Sequence, residues 1–155
     1  MSVEKVKEYF AGFGLADKVR ELTESCATVE LAAAALGTEG ARIAKTLSFR
    51  SGEGCLLVVT AGDMKIDNKK FKNTFDVKAK MLSPEEVLAM TGHAVGGVCP
   101  FGIPEDVEVY LDVSLKRFVT VFPACGSSNS LIELSPEDLA KYANNRRWVD
   151  VCKER

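Results

Sequence analysis

The stretch from residue 41 to residue 61 carries the pattern that most narrows the possible folds of this chain. Its apolar residues recur at every second position, at Ile43, Leu47 and Phe49, and a period of two is typical of a β-strand. A Ser-Gly-Glu-Gly turn at residues 51–54 leads into a second apolar run at residues 55–59. The pattern predicts a β-hairpin, so we expect a fold that contains a sheet.

Helical signals lie on both sides of this hairpin. An amphipathic pattern over residues 3–13 stops at Gly14, and a second helix is predicted over residues 29–36, with Thr28 as N-cap and Gly37 beyond its end. Ser-Pro-Glu starts predict helices over residues 83–90 and 135–142, and further strands are predicted over residues 107–111, 118–122 and 131–134. We therefore expect a single α/β domain (mixed α+β) over residues 1–155, in which helices flank a sheet.

The composition excludes several classes of protein. Of the 155 residues 46% are hydrophobic and 27% charged, and the net charge of -2 argues against a protein covered in positive potential, so any contact with nucleic acid is expected to be local. No stretch approaches the roughly 18 apolar residues of a membrane span, and no signal-peptide pattern follows the charged N-terminus. Five cysteines without paired spacing are expected to be free thiols. We expect a cytoplasmic protein that binds neither membrane nor DNA.

Lys45 is the residue that fits the strand pattern least. The alternation places its ammonium group on the same face as Leu47 and Phe49, which should be buried. One interpretation is a side chain that packs on the sheet and extends its charge to water or to a carboxylate. The other is a partly desolvated lysine that binds a substrate carbonyl, carboxylate or phosphate more strongly than it would in bulk water.

A second candidate segment is the glycine-rich loop of residues 92–102, which holds four glycines and Pro100. Glycines let backbone N–H groups approach a ligand closely, so the loop could form an oxyanion hole or a steric gate. The alternative is an ordinary tight turn. A third segment, the small-residue turn of residues 124–130, could line the same pocket or could be a polar turn before a strand.

Two further patterns leave their function open. Six lysines and two aspartates between residues 65 and 80 indicate a positive patch, which could contact phosphates or could be a solvated helix face. Cys99 and His93 could form a thiol hydrolase, although no third orienting group is evident. His93 is the only histidine and has no ligand grouping around it, so neither a metal nor another cofactor is expected.

The order and spacing of three motifs resemble the YbaK/prolyl-tRNA synthetase insertion-domain superfamily. The motifs are Ile-Ala-Lys-Thr-Leu at residues 43–47, Gly-Gly-Val-Cys-Pro-Phe-Gly at residues 96–102 and the run from Gly126 to Leu139, within a match from about residue 27 to residue 153. The resemblance implies a mixed, mostly antiparallel sheet with a barrel-like core flanked by helices. It also implies a trans-editing deacylase that removes alanine, serine or cysteine from mischarged tRNA, with tRNA(Pro) as the expected carrier.

The resemblance also assigns residues and partners. It implies catalytic roles for Lys45, Gly96, Gly97 and Pro100. The loop from Gly96 to Pro100 would place backbone N–H groups near the ester carbonyl. The expected substrate-binding residues are Thr46, His93, Val98, Cys99, Phe101, Gly126, Ser127 and Asn129, and the expected tRNA contacts are Lys65, Lys69, Lys70 and Lys72. The partner would be the acceptor end of aminoacyl-tRNA, with prolyl-tRNA synthetase as a further candidate.

This sequence departs from some members of the superfamily at two places. Those members have an asparagine after the lysine and an aspartate in the strand after the small-residue turn, where this chain has Thr46 and Ile132 or its neighbour. The identity of the amino acid therefore stays open. So does the alternative of a non-catalytic module that binds aminoacyl-tRNA or a synthetase.

Overall fold

The computed structural model describes residues 2–155, which contain five α-helices and nine β-strands. The helices are α1 (Ser2–Ala11), α2 (Val29–Leu36), α3 (Asn68–Phe75), α4 (Pro84–Thr91) and α5 (Pro136–Tyr142). The strands are β1 (Arg20–Glu21), β2 (Ile43–Ser51), β3 (Gly54–Ala61), β4 (Met64–Ile66), β5 (Glu108–Asp112), β6 (Phe122–Pro123), β7 (Ser130–Leu131), β8 (Trp148–Val149) and β9 (Cys152–Glu154).

The main sheet has the strand order β6-β2-β3-β5-β8. Its long central pair, β2 and β3, is the predicted antiparallel hairpin, in which Ser51 lies opposite Gly54 and Ala44 opposite Ala61. The shorter pairings β2–β6, β3–β5 and β5–β8 are parallel. Single bridges join Val121 to Leu134 and Ala124 to Leu131, and β7 pairs with β1. The predicted mixed sheet flanked by helices is therefore confirmed.

Both faces of the central hairpin are covered. Leu57 and Val59 of β3 share one core with residues of α1 and α5, whereas Leu56 and Val58 point to the opposite face, where Phe71 of α3 packs. A third cluster places α2 against the start of β2 and against β6. Continuous burial of β3 follows from this two-sided packing, since a strand covered on both faces has no polar side.

The predicted helix boundaries hold closely where capping residues set them. Thr28 accepts a hydrogen bond from the N–H of Leu31, and Gly37 ends α2 in the left-handed conformation. Ser83 and Glu86 form a capping box at the start of α4. The first helix is shorter than predicted: it ends at Ala11, and a turn occupies the residues before Gly14.

The predicted strand at residues 118–122 is wrong over most of its length. A 3-10 helix at Val113–Arg117 precedes it, and Val119 is 88% exposed. Within the predicted range, Phe122 pairs in the main sheet and Val121 makes only the single bridge to Leu134. The predicted strand at residues 131–134 is likewise reduced to β7 and the single bridge at Leu134. Apolar residues alone did not reveal how short these pairings are.

None of the helices within residues 2–155 is both long enough and apolar enough to cross a membrane.

Candidate active site

A cleft of about 320 Å³ lies beside β2, where five separate segments of the chain meet. Most of its lining is apolar and small, as in pockets that accept a compact ligand. The lining residues are Cys26, Ala27, Thr28, Val29, Ile43, Ala44, Lys45, Thr46, Leu47, Ser48, Met81, Leu82, Val87, Val95, Gly96, Val98, Ala124 and Leu131. Of the predicted site residues, the cleft therefore brings together Lys45, Thr46, Gly96 and Val98.

Lys45 is half-buried in this cleft, and its ammonium group donates a hydrogen bond to the backbone carbonyl of Met64. Burial is the main cause that lowers the pKa of Lys45, and the positive charge of Arg155 lowers it further. Cys152, Asp63 and Glu30 act in the opposite direction. The ammonium is thus poorly hydrated, which strengthens its attraction to a negatively charged or strongly dipolar ligand.

The glycine-rich loop and the small-residue turn pack directly against each other. A Cβ placed on Gly97 would lie 2.6 Å from the backbone nitrogen of Ser127 and 2.7 Å from the carbonyl carbon of Gly126. The Gly97 N–H is already bonded to the carbonyl of Ala94, at 3.0 Å. Gly97 therefore serves as a close-packing residue, and its amide is not a free oxyanion donor.

Other loop residues divide between the cleft and the core. Gly96, at φ +97°, and Val98 are partly exposed and line the cleft. Pro100 and Phe101 are buried and lie outside the cleft lining, with the Phe101 ring 4.7 Å from that of Phe10. The structure thus places the predicted catalytic Pro100 and substrate-binding Phe101 behind the cleft wall.

The polar groups of the small-residue turn are engaged with one another. The Ser127 hydroxyl lies 2.6 Å from that of Ser130 and 2.9 Å from the Asn129 Oδ1, while the Asn129 amide donates to the carbonyl of Leu22 at 2.8 Å. Gly126 supplies the positive φ of +93° that the turn requires. Ser127, Asn129 and Gly126 shape the turn, and Ala124 is the turn residue that reaches the cleft.

Cys99 and His93 are adjacent in space but closed to solvent. The Cys99 Sγ lies 3.5 Å from the Nε2 of His93, which is 2.8 Å from the carbonyl oxygen of Phe101, and both side chains are fully buried. Burial raises the pKa of the Cys99 thiol to about 12. A protonated thiol without access to substrate cannot act as a nucleophile.

Burial of His93 also makes stability depend on pH. Desolvation lowers the pKa of His93 below its usual 6.5, so the unfolded chain binds the proton more tightly than the native protein. The free energy of unfolding should therefore fall as the pH drops below about 6.5, by at most ~1.4 kcal/mol per pH unit for one proton. Urea denaturation between pH 7 and pH 5 should show this slope in the native protein, and a flatter profile in His93→Gln. Equal slopes would contradict the assignment.

The predicted lysine patch is only partly available for contacts. Lys70 donates to the carboxylate of Asp150 at 3.1 Å and to the carbonyl of Cys152 at 2.9 Å. Lys69 and Lys72 are exposed on α3, and Lys65 is exposed on β4. Lys65 lies directly opposite Lys153 of β9. The exposed lysines of α3 therefore fit the alternative of a solvated helix face. Three of the four predicted tRNA-contact residues, Lys65, Lys69 and Lys72, face solvent.

Sequence reasoning missed several parts of the cleft. It did not include the segment from Cys26 to Val29, Met81 and Leu82, or Leu131. These residues are distant from Lys45 along the chain and carry no reactive groups except the Cys26 thiol. The N-cap position of Thr28 was visible in the sequence, but it indicated a helix start and not a cleft wall.

Several known proteins are similar to this chain over most of its length. Residues 23–142 match the family model described as the aminoacyl-tRNA editing domain. The chain is 56% identical over 155 residues to the protein of Bacillus subtilis named "Uncharacterized protein YwhH", with 99% of each chain covered. It is 29% identical over 134 residues to the Enterococcus faecalis protein named "Putative Cys-tRNA(Pro)/Cys-tRNA(Cys) deacylase EbsC", which covers 85% of this chain and 82% of that relative. A solved structure described as "a putative trans-editing enzyme for prolyl tRNA synthetase" has a TM-score of 0.88 at 30% identity, covering 98% of this chain and 97% of that one. The chain therefore belongs to the aminoacyl-tRNA editing domain family.

Proposed function

We propose that this protein is a trans-editing deacylase, which hydrolyses the ester of mischarged aminoacyl-tRNA in the cytoplasm. The proposed substrate carries a small amino acid, alanine, serine or cysteine, on tRNA(Pro). Family membership supports the reaction class, and the names of the Enterococcus relative and of the solved structure support the carrier. Prolyl-tRNA synthetase, which would release such a product, is the proposed functional partner.

The observation that carries this proposal is the small apolar cleft with a half-buried lysine at its wall. A volume of about 320 Å³ suits a small side chain together with part of the terminal ribose. Selection by size would be modest, because one methylene in an apolar pocket changes binding by about 1–3 kcal/mol. Such a sieve is useful as a second check after a synthetase has made its own selection.

The reaction requires little chemistry from the protein, because an aminoacyl ester is already activated. Water adds to the ester carbonyl carbon and releases one proton to solvent, while the carbonyl electrons move to the carbonyl oxygen. Collapse of this intermediate breaks the bond to the ribose oxygen, which takes up a proton while the amino acid leaves as its carboxylate. The protein must hold the ester and stabilise the oxyanion.

Lys45 is the proposed source of positive charge at the ester or at the phosphate of the terminal adenosine. The N–H of Gly97 is already hydrogen-bonded to the carbonyl of Ala94, and Pro100, as a proline, has no N–H. The loop donors proposed to face the oxyanion are therefore the N–H groups of Gly96 and Val98. Thr46 lines the same cleft. Cys99, His93 and Phe101 are proposed to act indirectly, by holding the loop against the core.

We propose that Lys65, Lys69 and Lys72 contact tRNA phosphates, since each is exposed on the same part of the chain. Binding of tRNA should then weaken as salt rises, because each neutralised phosphate releases counterions. The double variant Lys65→Gln/Lys69→Gln should show a smaller slope of log affinity against log salt than the native protein. A matched Lys18→Gln/Lys141→Gln variant should keep the native slope, and equal slopes in all three proteins would contradict the contact.

The thiol-hydrolase alternative makes an opposite prediction about Cys99. Because this thiol is buried and its pKa is raised to about 12, brief iodoacetamide treatment should leave both Cys99 and deacylation unchanged. Cys99→Ala should keep activity within about threefold and lose some stability, since it leaves a small cavity. Peptide mass mapping with parallel rate measurement would detect the contrary result, inactivation that follows alkylation of Cys99.

The proposed function is tested by release of labelled amino acid from a panel of charged tRNAs. The panel pairs tRNA(Pro), tRNA(Ala) and tRNA(Cys) with alanine, serine, cysteine or proline. We expect release from tRNA(Pro) carrying a small non-cognate amino acid and no release of proline. Failure of every species to react, at protein concentrations above the dissociation constant for tRNA, would leave the binding module as the function.

A further inference from the structure

The edge of β2 that faces the cleft is interrupted in the middle. Near its start, Ala44 pairs with Pro123 of β6. Near its end, Arg50 N–H donates to the carbonyl of Lys80, and Leu82 N–H donates to the carbonyl of Ser48. No described residue pairs with residues 45–47 on this side, because β6 ends at Pro123 and the chain turns away at Gly126.

The cleft occupies this gap. Six consecutive β2 residues, 43–48, contribute to its lining. A strand that presents one face to a pocket contributes only alternate residues, because successive side chains point to opposite faces. An unbroken run therefore indicates that the cleft meets the strand along its edge, where the backbone groups are.

The backbone groups in the gap belong to Thr46. In an antiparallel strand, the N–H and C=O of one residue point to the same edge, and those of the next residue point to the opposite edge. The backbone groups of Ser48 and Arg50 bond to residues 80–82 on the cleft side. Thr46 lies two residues before Ser48, so its N–H and C=O also point into the cleft. Neither group has a hydrogen-bond partner within residues 2–155. The Thr46 Oγ1 is also buried without a partner.

Backbone groups beside an apolar pocket are costly to leave unpaired, so they are a place where water or a ligand is expected to form hydrogen bonds. A ligand that matches Thr46 must carry one donor and one acceptor on the same carbon, because two residues opposite each other in an antiparallel ladder exchange both hydrogen bonds. The aminoacyl group has this arrangement: its Cα bears an α-amino donor and the ester carbonyl. Strand addition at an open edge is an established mode of recognition for extended peptides.

We propose that Thr46 binds the aminoacyl group of the substrate as a one-residue antiparallel strand partner. The Thr46 carbonyl accepts a hydrogen bond from the α-amino group, and the Thr46 N–H donates to the ester carbonyl oxygen. This inference rests on the proposed deacylase function and adds to it the recognition of the α-amino group. It also makes Thr46 a positioning residue whose backbone, and not its hydroxyl, holds the ester.

The first test uses the native protein and two esters of the same tRNA. Alanyl-tRNA(Pro) and propionyl-tRNA(Pro) differ only in the α-amino group, and each enzymatic rate is divided by the spontaneous hydrolysis rate in the same buffer. Loss of a hydrogen bond to a charged group should reduce the rate enhancement on the propionyl ester about 10- to 100-fold. Equal enhancements on the two esters would overturn the proposal.

The second test compares two substitutions of the same residue. Thr46→Pro removes the N–H, and an open strand edge is a place where proline is tolerated. Thr46→Val keeps both backbone groups and removes only the unpaired hydroxyl. We expect Thr46→Pro to be slower than Thr46→Val by about 10²-fold, as for loss of one oxyanion donor, and equal rates of the two variants would contradict the role of the Thr46 N–H. Circular dichroism and thermal unfolding establish that both variants are folded.

The outcomes separate this inference from the function on which it rests. If the native protein releases no amino acid from any charged tRNA, the deacylase function itself fails. If it releases alanine but also treats the propionyl ester equally well, only the recognition by Thr46 fails. The comparison of the two esters does not depend on any variant, so it decides the matter even if Thr46→Pro does not fold.

Discussion

Replacing Lys45 with alanine is expected to slow single-turnover release of alanine from Ala-tRNA(Pro) by about 10²–10³-fold, the usual cost of losing one group that stabilises the oxyanion. The reason is that the half-buried ammonium of Lys45 is the positive charge within the cleft lining. Its poor hydration makes each interaction with the ester or phosphate stronger than in water. Rapid-quench measurement with excess protein isolates this chemical step.

Lys45→Met supplies the matched control, because it keeps the length of the side chain and removes the charge. Burial lowers the pKa of Lys45, so the native fold carries the cost of a desolvated ammonium at neutral pH, and this cost is relieved as the pH rises through the lowered pKa. The methionine variant should therefore unfold within about 3 °C of the native protein or above it. Native-like release by either variant would remove Lys45 from the active site.

Replacing Gly97 with alanine is expected to damage both stability and activity. The new Cβ would lie 2.6–2.7 Å from backbone atoms of Gly126 and Ser127, which cannot move aside as a flexible side chain could. Overpacking of this kind costs about 1–3 kcal/mol and should lower Tm by roughly 2–10 °C. Because the loop must shift, Gly96 and Val98 move in the cleft wall, and deacylation should fall at least ~10-fold.

Gly12→Ala is the control for this substitution. Its Cβ would make an ordinary contact, 3.5 Å from the carbonyl of Tyr9, and the residue does not have a positive φ. Its Tm and its rate should remain close to those of the native protein. If Gly97→Ala behaved like Gly12→Ala in thermal unfolding and in deacylation, the close packing of loop and turn would not matter for the site.

Features set by neighbouring residues could be predicted from the sequence. The hairpin follows from the alternation around Leu47, and the start of α4 follows from Ser83 and Glu86, whose capping contacts span three residues. The unusual position of Lys45 was also visible, because one charge interrupts an apolar face. The structure confirms that Lys45 is half-buried.

Features that depend on distant pairing could not be predicted. The contact between Gly97 and the turn at Gly126, and the adjacency of Cys99 and His93 in a closed core, arise from the packing of separate segments. The open edge at Thr46 depends on where β6 ends, which no local pattern around Thr46 encodes. The sequence therefore indicated the chemistry of Lys45 but not the shape of the cleft around it.

The most direct test of deacylation measures binding and release in the same sample. Native protein in excess is mixed with doubly labelled Ala-tRNA(Pro), so that filter retention reports bound tRNA while acid-soluble label reports free alanine. We predict complete release in a single turnover by the native protein, and retention of the intact ester by Lys45→Ala. Retention of the intact ester by the native protein as well would contradict the proposed deacylase activity and would indicate a module that only binds aminoacyl-tRNA.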